Sequence, residues 1–212
     1  MRIALFGATG RIGQRILQEA LIRGHEVTAI IRNPARLSST SPRLKRVKGD
    51  VLDPTRVAAT VVGHEVVISA IGPGIDADPH VLVEAAHSLL AGLKEAGVKR
   101  LLVVGGSGSL EVSPGTQFID NPGFPIARKP IAMAQRDALE AYRRDATLDW
   151  TYVSPPASIE PGQRTGKYRT GGNQLVTDKQ GRSFISMEDY AVALVDEVEN
   201  PRFIRRRFTV AY

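Results

Sequence analysis

The first thirteen residues, Met1 to Gly13 (MRIALFGATGRIG), restrict the fold of this chain more than any other stretch. Arg2 to Phe6 is a short apolar run of strand type that stops at Gly7. Glycine recurs at Gly10 and Gly13, and the apolar residues beyond (Ile12, Ile16, Leu17, Ala20, Leu21) fall at helical spacing. A strand that enters a helix through glycines leaves bare backbone N–H groups at a helix N-terminus. That geometry suits a pyrophosphate, because the backbone can approach closely and the helix dipole favours an anion. The spacing is G-x-x-G-x-x-G, not the G-x-G-x-x-G of the commonest dinucleotide fingerprint. Such glycines also serve helix–strand packing alone, so the turn defines a local unit and the rest of the chain must define a ligand.

The alternation continues. Glu26–Ile31 reads as a second strand, and Asn33-Pro34 as the cap and first turn of a brief helix. Leu44–Lys48 is a weaker third strand, and Asp53-Pro54 starts a helix through about Thr60. Val66–Ile71 is nearly all apolar, as expected of a strand buried on both faces of a parallel sheet. Asp78-Pro79 opens a long amphipathic helix to about Ala96 that Gly97 ends, and Leu101–Val104 is a fifth strand closing on Gly105–Ser109. Leu110–Phe124 reads as a loop, Ile126–Asp145 as a helix and Trp150–Ser154 as a sixth strand. Ser186–Asp189 has capping-box form and begins a last helix through Val198, before a terminal strand at Phe208–Val210. The pattern predicts an α/β chain: a Rossmann-like, doubly wound parallel sheet flanked by helices. Residues 1–212 read as one domain, with a polar segment at 155–183 as a substrate-side lid containing short strands, since a structureless loop of that length is uncommon without a function.

Composition removes several function classes. The chain has no cysteine, which excludes disulfides, zinc–thiolate sites and a cysteine nucleophile. The four histidines lack metal-ligand spacing, so no metal is expected. No charged-then-apolar leader precedes the first strand and no apolar run is long enough to span a bilayer, so a cytoplasmic protein without membrane contact is the expectation. The net charge of +6 is scattered, which fits anion-binding arginines better than a nucleic-acid surface. A small-molecule acceptor is the expected partner, bound by a monomer or homodimer.

The position that commonly holds the ribose 2′-hydroxyl is an acid at the end of the second strand. Here it is Arg32, with Arg36 one turn later. A carboxylate would repel a 2′-phosphate, whereas two guanidiniums can clamp it, so NADP(H) is expected over NAD(H). Asp50 ends the third strand, where its carboxylate can accept from an adenine amino group or simply cap a turn. Ile71-Gly72 ends the fourth strand, at the crevice where open α/β sheets bind ligands.

These motifs carry a family resemblance. G-A-T-G-R-I-G (Gly7–Gly13), R-N-P-A-R-L (Arg32–Leu37), K-G-D-V-L-D (Lys48–Asp53) and V-V-I-S-A-I-G (Val66–Gly72) are similar to the atypical short-chain dehydrogenase/reductase family. The nearest branch is the NAD(P)H-binding group named for NADH-flavin reductases, related to biliverdin-IXβ/flavin reductase. The resemblance runs on through L-D-W-T-Y-V-S-P-P (Leu148–Pro156), R-T-G-K-Y-R (Arg164–Arg169) and I-S-M-E-D-Y-A-V-A-L (Ile185–Leu194). It implies that Gly7, Thr9, Gly10, Arg11, Ile12 and Gly13 wrap the pyrophosphate, that Arg32 and Arg36 hold the 2′-phosphate, and that Asp50 and Val51 hold the adenine. It implies that Ser107 lies beside the nicotinamide and that Ser154, Pro155 and Pro156 shape its far wall.

Carbonyl-reducing members of the wider family need a Tyr-x-x-x-Lys pair, so that a phenol can protonate the nascent alkoxide. No tyrosine of this chain has a lysine at that offset, and Lys129 has no tyrosine four residues before it. The biliverdin branch carries a histidine after its Pro-Pro, where this chain has Ala157, which argues against tetrapyrrole reduction. What remains is hydride transfer needing little acid catalysis, to a flavin (FMN or FAD as substrate), a quinone or a similar planar acceptor. Ser107 is the candidate catalytic contact, and Lys167, Tyr168 and Arg169 are candidate acceptor contacts in the lid. The rival reading is a non-enzymatic NADP(H)-binding redox sensor, like the nitrogen-metabolite-repressor relatives. An epimerase or dehydratase of a nucleotide sugar ranks below both, because the pair is missing and the chain is short for an added sugar-nucleotide domain.

Overall fold

The computed structural model describes residues 1–73 and 78–212. In chain order it contains β1 (Arg2–Phe6), α1 (Arg11–Ile22), β2 (Glu26–Ile31), β3 (Leu44–Lys48), α2 (Pro54–Val61), β4 (Val66–Ser69), α3 (Val81–Ala96) and β5 (Arg100–Val104). Then come a small hairpin, β6 (Glu111–Ser113) and β7 (Thr116–Gln117), followed by α4 (Lys129–Arg143) and β8 (Asp149–Ser154). The chain ends with β9 (Ser158–Glu160), β10 (Arg169–Gly171), β11 (Phe184–Ser186), α5 (Met187–Glu199) and β12 (Arg206–Ala211).

Eight strands form the main sheet in the order β10-β12-β8-β5-β4-β1-β2-β3. All its pairings are parallel except β10 with β12. Strand alternation sends Ile3, Leu5, Val66, Ile68, Phe208 and Val210 into one core with α1 and α5. It sends Ala4, Phe6, Val67, Leu101, Trp150 and Tyr152 into the other, with α2, α3 and α4. This is the expected doubly wound sheet. Every strand of β1–β5 is followed by a helix or turn at its carboxyl end, so the loops gather along one edge of the sheet.

Local signals place the helix starts. Asp53 Oδ1 accepts from Arg56 N (3.1 Å) with Pro54 in the first turn, and Ser186 Oγ accepts from Asp189 N (3.0 Å). The long helix begins later than Asp78-Pro79 predicts: Asp78 Oδ1 accepts from His80 N (2.9 Å), making a preliminary turn, and α3 proper starts at Val81. The predicted loop at 110–124 holds the β6–β7 hairpin, which packs Ile119 and Phe124 against Ala132 of α4.

Segment 155–183 is not one lid. Its first part pairs β9 with β11 and then straps across α1 and α5. There Arg164 makes two hydrogen bonds to Glu19 (both 2.7 Å), and Asp189 accepts from Thr165 N (2.8 Å) and Gly166 N (2.7 Å). Its middle adds β10 to the sheet edge, and its next residues cross to the hairpin, where Glu111 N donates to Asn173 O (2.8 Å) and Leu175 N to Glu111 O (2.8 Å).

Candidate cofactor site

Gly7 has φ +78°, and a Cβ there would lie 2.4 Å from Ala70 O, so only glycine lets the first turn pass this close to the end of β4. Gly13 is needed for packing: its Cβ would meet Gly7 O at 2.0 Å. Gly10 is the N-cap of α1 and supplies no side-chain cap, and the first helical turn holds no acid. Among the described residues the N–H groups of Arg11, Ile12 and Gly13 donate to nothing, while Gln14 N already reaches Gly10 O (2.9 Å). Three unpaired amides at a positive helix end form an anion cradle.

That cradle opens on a cleft of about 700 Å³, within the range of small-molecule sites. Gly7, Thr9, Gly10, Arg32, Arg36, Asp50, Val51, Ile71 and Gly72 all line it, brought together from the ends of β1, β2, β3 and β4. Arg32 and Arg36 are exposed at its rim, and neither guanidinium has a hydrogen-bond or ion-pair partner among the described residues. Asn33 holds the turn that presents them, its side chain accepting from Ala35 N (3.1 Å). Asp50 caps a turn, its Oδ1 accepting from Leu52 N (3.1 Å), which leaves Oδ2 for a ligand. Sequence reasoning missed Ala70, Leu52 and Val81 on the walls, because apolar residues outside strands carry no signal of a ligand.

The remaining candidates lie elsewhere. Ser107 is half-buried in the turn after β5, its hydroxyl without a partner among the described residues. The turn itself packs closely against β8 and α4: a Cβ at Gly105 would sit 2.0 Å from Tyr152 Cε1, and one at Gly106 1.9 Å from Gln135 Oε1. Ser154, Pro155 and Pro156 are buried at the end of the neighbouring β8, and Ser154 Oγ has no partner among the described residues. Lys167, Tyr168 and Arg169 do not face the cleft. The Tyr168 hydroxyl donates to Asp196 of α5, its ring joins the α1/α5 core, and Arg169 bonds Thr177 O (2.8 Å) and Tyr212 O. Asp196 in turn pairs with Arg23, just past the end of α1, so Tyr168 sits about 18 Å along that helix from the cradle.

No tyrosine is poised as an acid. Burial pushes the Tyr142, Tyr152 and Tyr190 phenols well up, and the latter two donate to Gln135 O (2.9 Å) and Val153 O (2.6 Å). No described helix is long and apolar enough to cross a membrane.

Comparison with known proteins agrees with this geometry. A family model described as NAD(P)H-binding matches residues 7–201. The chain is similar over its whole length, and all of theirs or nearly so, to three solved structures. One, from Burkholderia pseudomallei and provisionally named an exported protein, is 50% identical with a TM-score of 0.92, 100% of each chain being covered. Another, from Bacteroides thetaiotaomicron and provisionally named an epimerase, is 38% identical with a TM-score of 0.92, covering 100% of this chain and 96% of that one. A third, from Streptococcus pneumoniae and provisionally named an NADH-flavin reductase, is 36% identical with a TM-score of 0.86, covering 100% of this chain and 99% of that one.

Proposed function

This chain belongs to the NAD(P)H-binding family, and from that premise we propose that it is an NADPH-dependent reductase passing hydride to a flavin, a quinone or a similar soluble planar acceptor. The observation that carries the reading is the pair of unpartnered guanidiniums, Arg32 and Arg36, on the rim of a cleft whose floor is an uncapped helix N-terminus. Pyrophosphate on the amides of Arg11, Ile12 and Gly13 and a 2′-phosphate between the two arginines give the dinucleotide one orientation, with its adenine toward Asp50 and Val51. Its nicotinamide then reaches the ends of β4, β5 and β8, beside Ser107 and under Ser154, Pro155 and Pro156. When bound, that cofactor supplies hydride. The protein's part is to orient it, exclude water and stack an acceptor on it, since no tyrosine–lysine pair is present to deliver a proton. On this reading Ser107, half-buried in the turn after β5, is the residue that touches the carboxamide or the acceptor.

The missing pair weighs against the epimerase name carried by one neighbour, and it also leaves room for a sensor that binds NADP(H) without turnover. Purified protein with NADPH should show nucleotide oxidation when FMN or a quinone is added. Silence across a broad acceptor panel, with nucleotide still bound, would transfer the assignment to the sensor. A cytoplasmic location belongs to the same reading, and fractionation of the native host checks it.

A further inference from the structure

Two arginines are buried in the sheet, and they are treated differently. Arg100 pairs with the carboxylate of Glu197 at 2.8 Å. Arg207 of β12, 8% exposed, pairs with none among the described residues. Its Nη1 donates to Ser109 O (2.9 Å) and Ser109 Oγ (2.8 Å), and its Nε and Nη2 donate to Asn173 Oδ1 (3.1 and 2.8 Å). All of these acceptors are neutral. The nearest carboxylates are beyond ion-pairing distance: Glu140 is taken by Arg143 (2.7 Å), which itself adds positive charge, and Glu111 is part-exposed on the hairpin. On the same face of the sheet, one step toward the carboxyl edge, the register partners Ser154 and Thr209 are fully buried with hydroxyls that meet no partner. Among the described residues this corner therefore holds a desolvated cation and no compensating anion, which is an expensive arrangement for structure alone. Arg207 is also bonded to the last residue of the Gly105–Ser109 turn, two residues from Ser107.

On the reading that a nicotinamide lies beside that turn, we propose that Arg207 sets the redox preference of the site. Its unpaired charge favours the neutral dihydronicotinamide of NADPH over the positively charged ring of NADP⁺. Oxidation removes a hydride to the acceptor and leaves the ring with one more positive charge, while the acceptor gains one negative charge until water protonates it. A fixed cation nearby disfavours the first product's binding and stabilises the second, so it speeds release of the spent cofactor and offsets the missing proton donor. A sensor built on the same site would need the same asymmetry, because a ligand with equal affinity for two states shifts neither.

The test is a nucleotide titration, NADPH and NADP⁺ separately, on the full chain and three variants, with thermal melts as the folding control. Asn173→Asp keeps the shape and hydrogen bonds around Arg207 while adding the absent negative charge. It should leave the melting temperature unchanged or higher and narrow the NADPH-over-NADP⁺ preference about tenfold, the size expected of one charge roughly 12 Å from the ring at an effective dielectric near 20. Arg207→Met should narrow the preference similarly, and Arg207→Lys should retain most of it. If Arg207→Met fails to fold, the Asn173→Asp ratio decides. An unchanged ratio in Asn173→Asp, or equal affinities in the unmodified protein, overturns the proposal. Absence of binding for both nucleotides is a different result: it defeats the cofactor reading first and this proposal with it.

Discussion

Arg32 is the residue on which cofactor choice turns. It stands where an acid would accept the ribose hydroxyls, and it faces the cleft with no partner among the described residues to hold it elsewhere. An exposed guanidinium without a carboxylate costs little while it is hydrated and gains charge-assisted, bidentate bonds when a phosphate arrives. Arg32→Ala should therefore weaken NADPH about 10- to 100-fold, from roughly 1.5–3 kcal/mol per charged hydrogen bond, and leave NADH within about threefold. Parallel titrations with the two nucleotides check this, and equal losses would show that Arg32 is not the selector. Arg36→Ala should act the same way but more weakly, since the short turn behind Asn33 places it one step further along the rim. Gly7 and Gly13 answer to a different constraint. Their Cβ positions are occupied by the protein's own backbone, so they make the turn possible, and the three amides beyond it do the binding.

Among the elements, α5 packs beside α1 on one face of the sheet, and Glu197 is its anchor. This carboxylate, 1% exposed, accepts from Arg100 Nη2 (2.8 Å), Phe203 N (3.0 Å), Arg202 N (2.9 Å) and Thr151 Oγ1 (3.3 Å). Removing it strands a buried guanidinium, so Glu197→Ala should cost about 3–5 kcal/mol in urea unfolding, with Glu197→Gln milder. Arg100 begins β5 at the amino edge, about 13 Å from the cleft edge, so the surviving folded fraction should bind nucleotide normally. β1 and β2 coincide with their apolar runs in the sequence, because a strand covered on both faces has to be apolar nearly throughout, whereas β3 is an edge strand that leaves its three charged residues exposed. Elements whose partners are remote were not legible. The β6–β7 hairpin is too short for a pattern, and β10 (Arg-Thr-Gly) is a strand only because the edge of β12 offers it hydrogen bonds. The site divides the same way. Glycines and the rim arginines announced the cleft within local motifs, whereas Arg207 meets Ser109 and Asn173 at separations of 98 and 34 residues.

At the scale of the whole molecule, ionised carboxylates bind distant segments together, and this dictates how the fold responds to acid. Burial alone would raise the Asp145 carboxyl, but the bond from Lys94 of α3 and those from Leu148 N and Thr147 hold it at about 2, fastening α3 to the connection between α4 and β8. Glu19 is held down by hydrogen bonds from Arg164 and Arg23 against the effect of burial, and this joins the strap to α1. Asp189 is likewise lowered: burial opposes it, but Thr165, Tyr212 and Gly166 N outweigh that and latch the strap to α5. Glu188 is lowered as well, with Gly162 N and Arg15 overcoming burial. A carboxyl whose folded value lies below its unfolded value of about 4 contributes stability that is complete above that value and is lost as pH falls toward the folded value. The melting temperature should therefore stay nearly level from pH 7 to about 5 and drop steeply between about 4 and 2. Three of these four carboxylates hold the strap, so limited proteolysis between about pH 4 and 3 should cut within residues 161–168 before the central sheet melts. Asp145→Asn should lower the melting temperature at neutral pH and flatten its decline below pH 4, because the group that carries that part of the pH dependence is gone. A variant whose decline matches that of the unmodified protein would show that Asp145 is ionised no more readily in the folded chain than in the unfolded one.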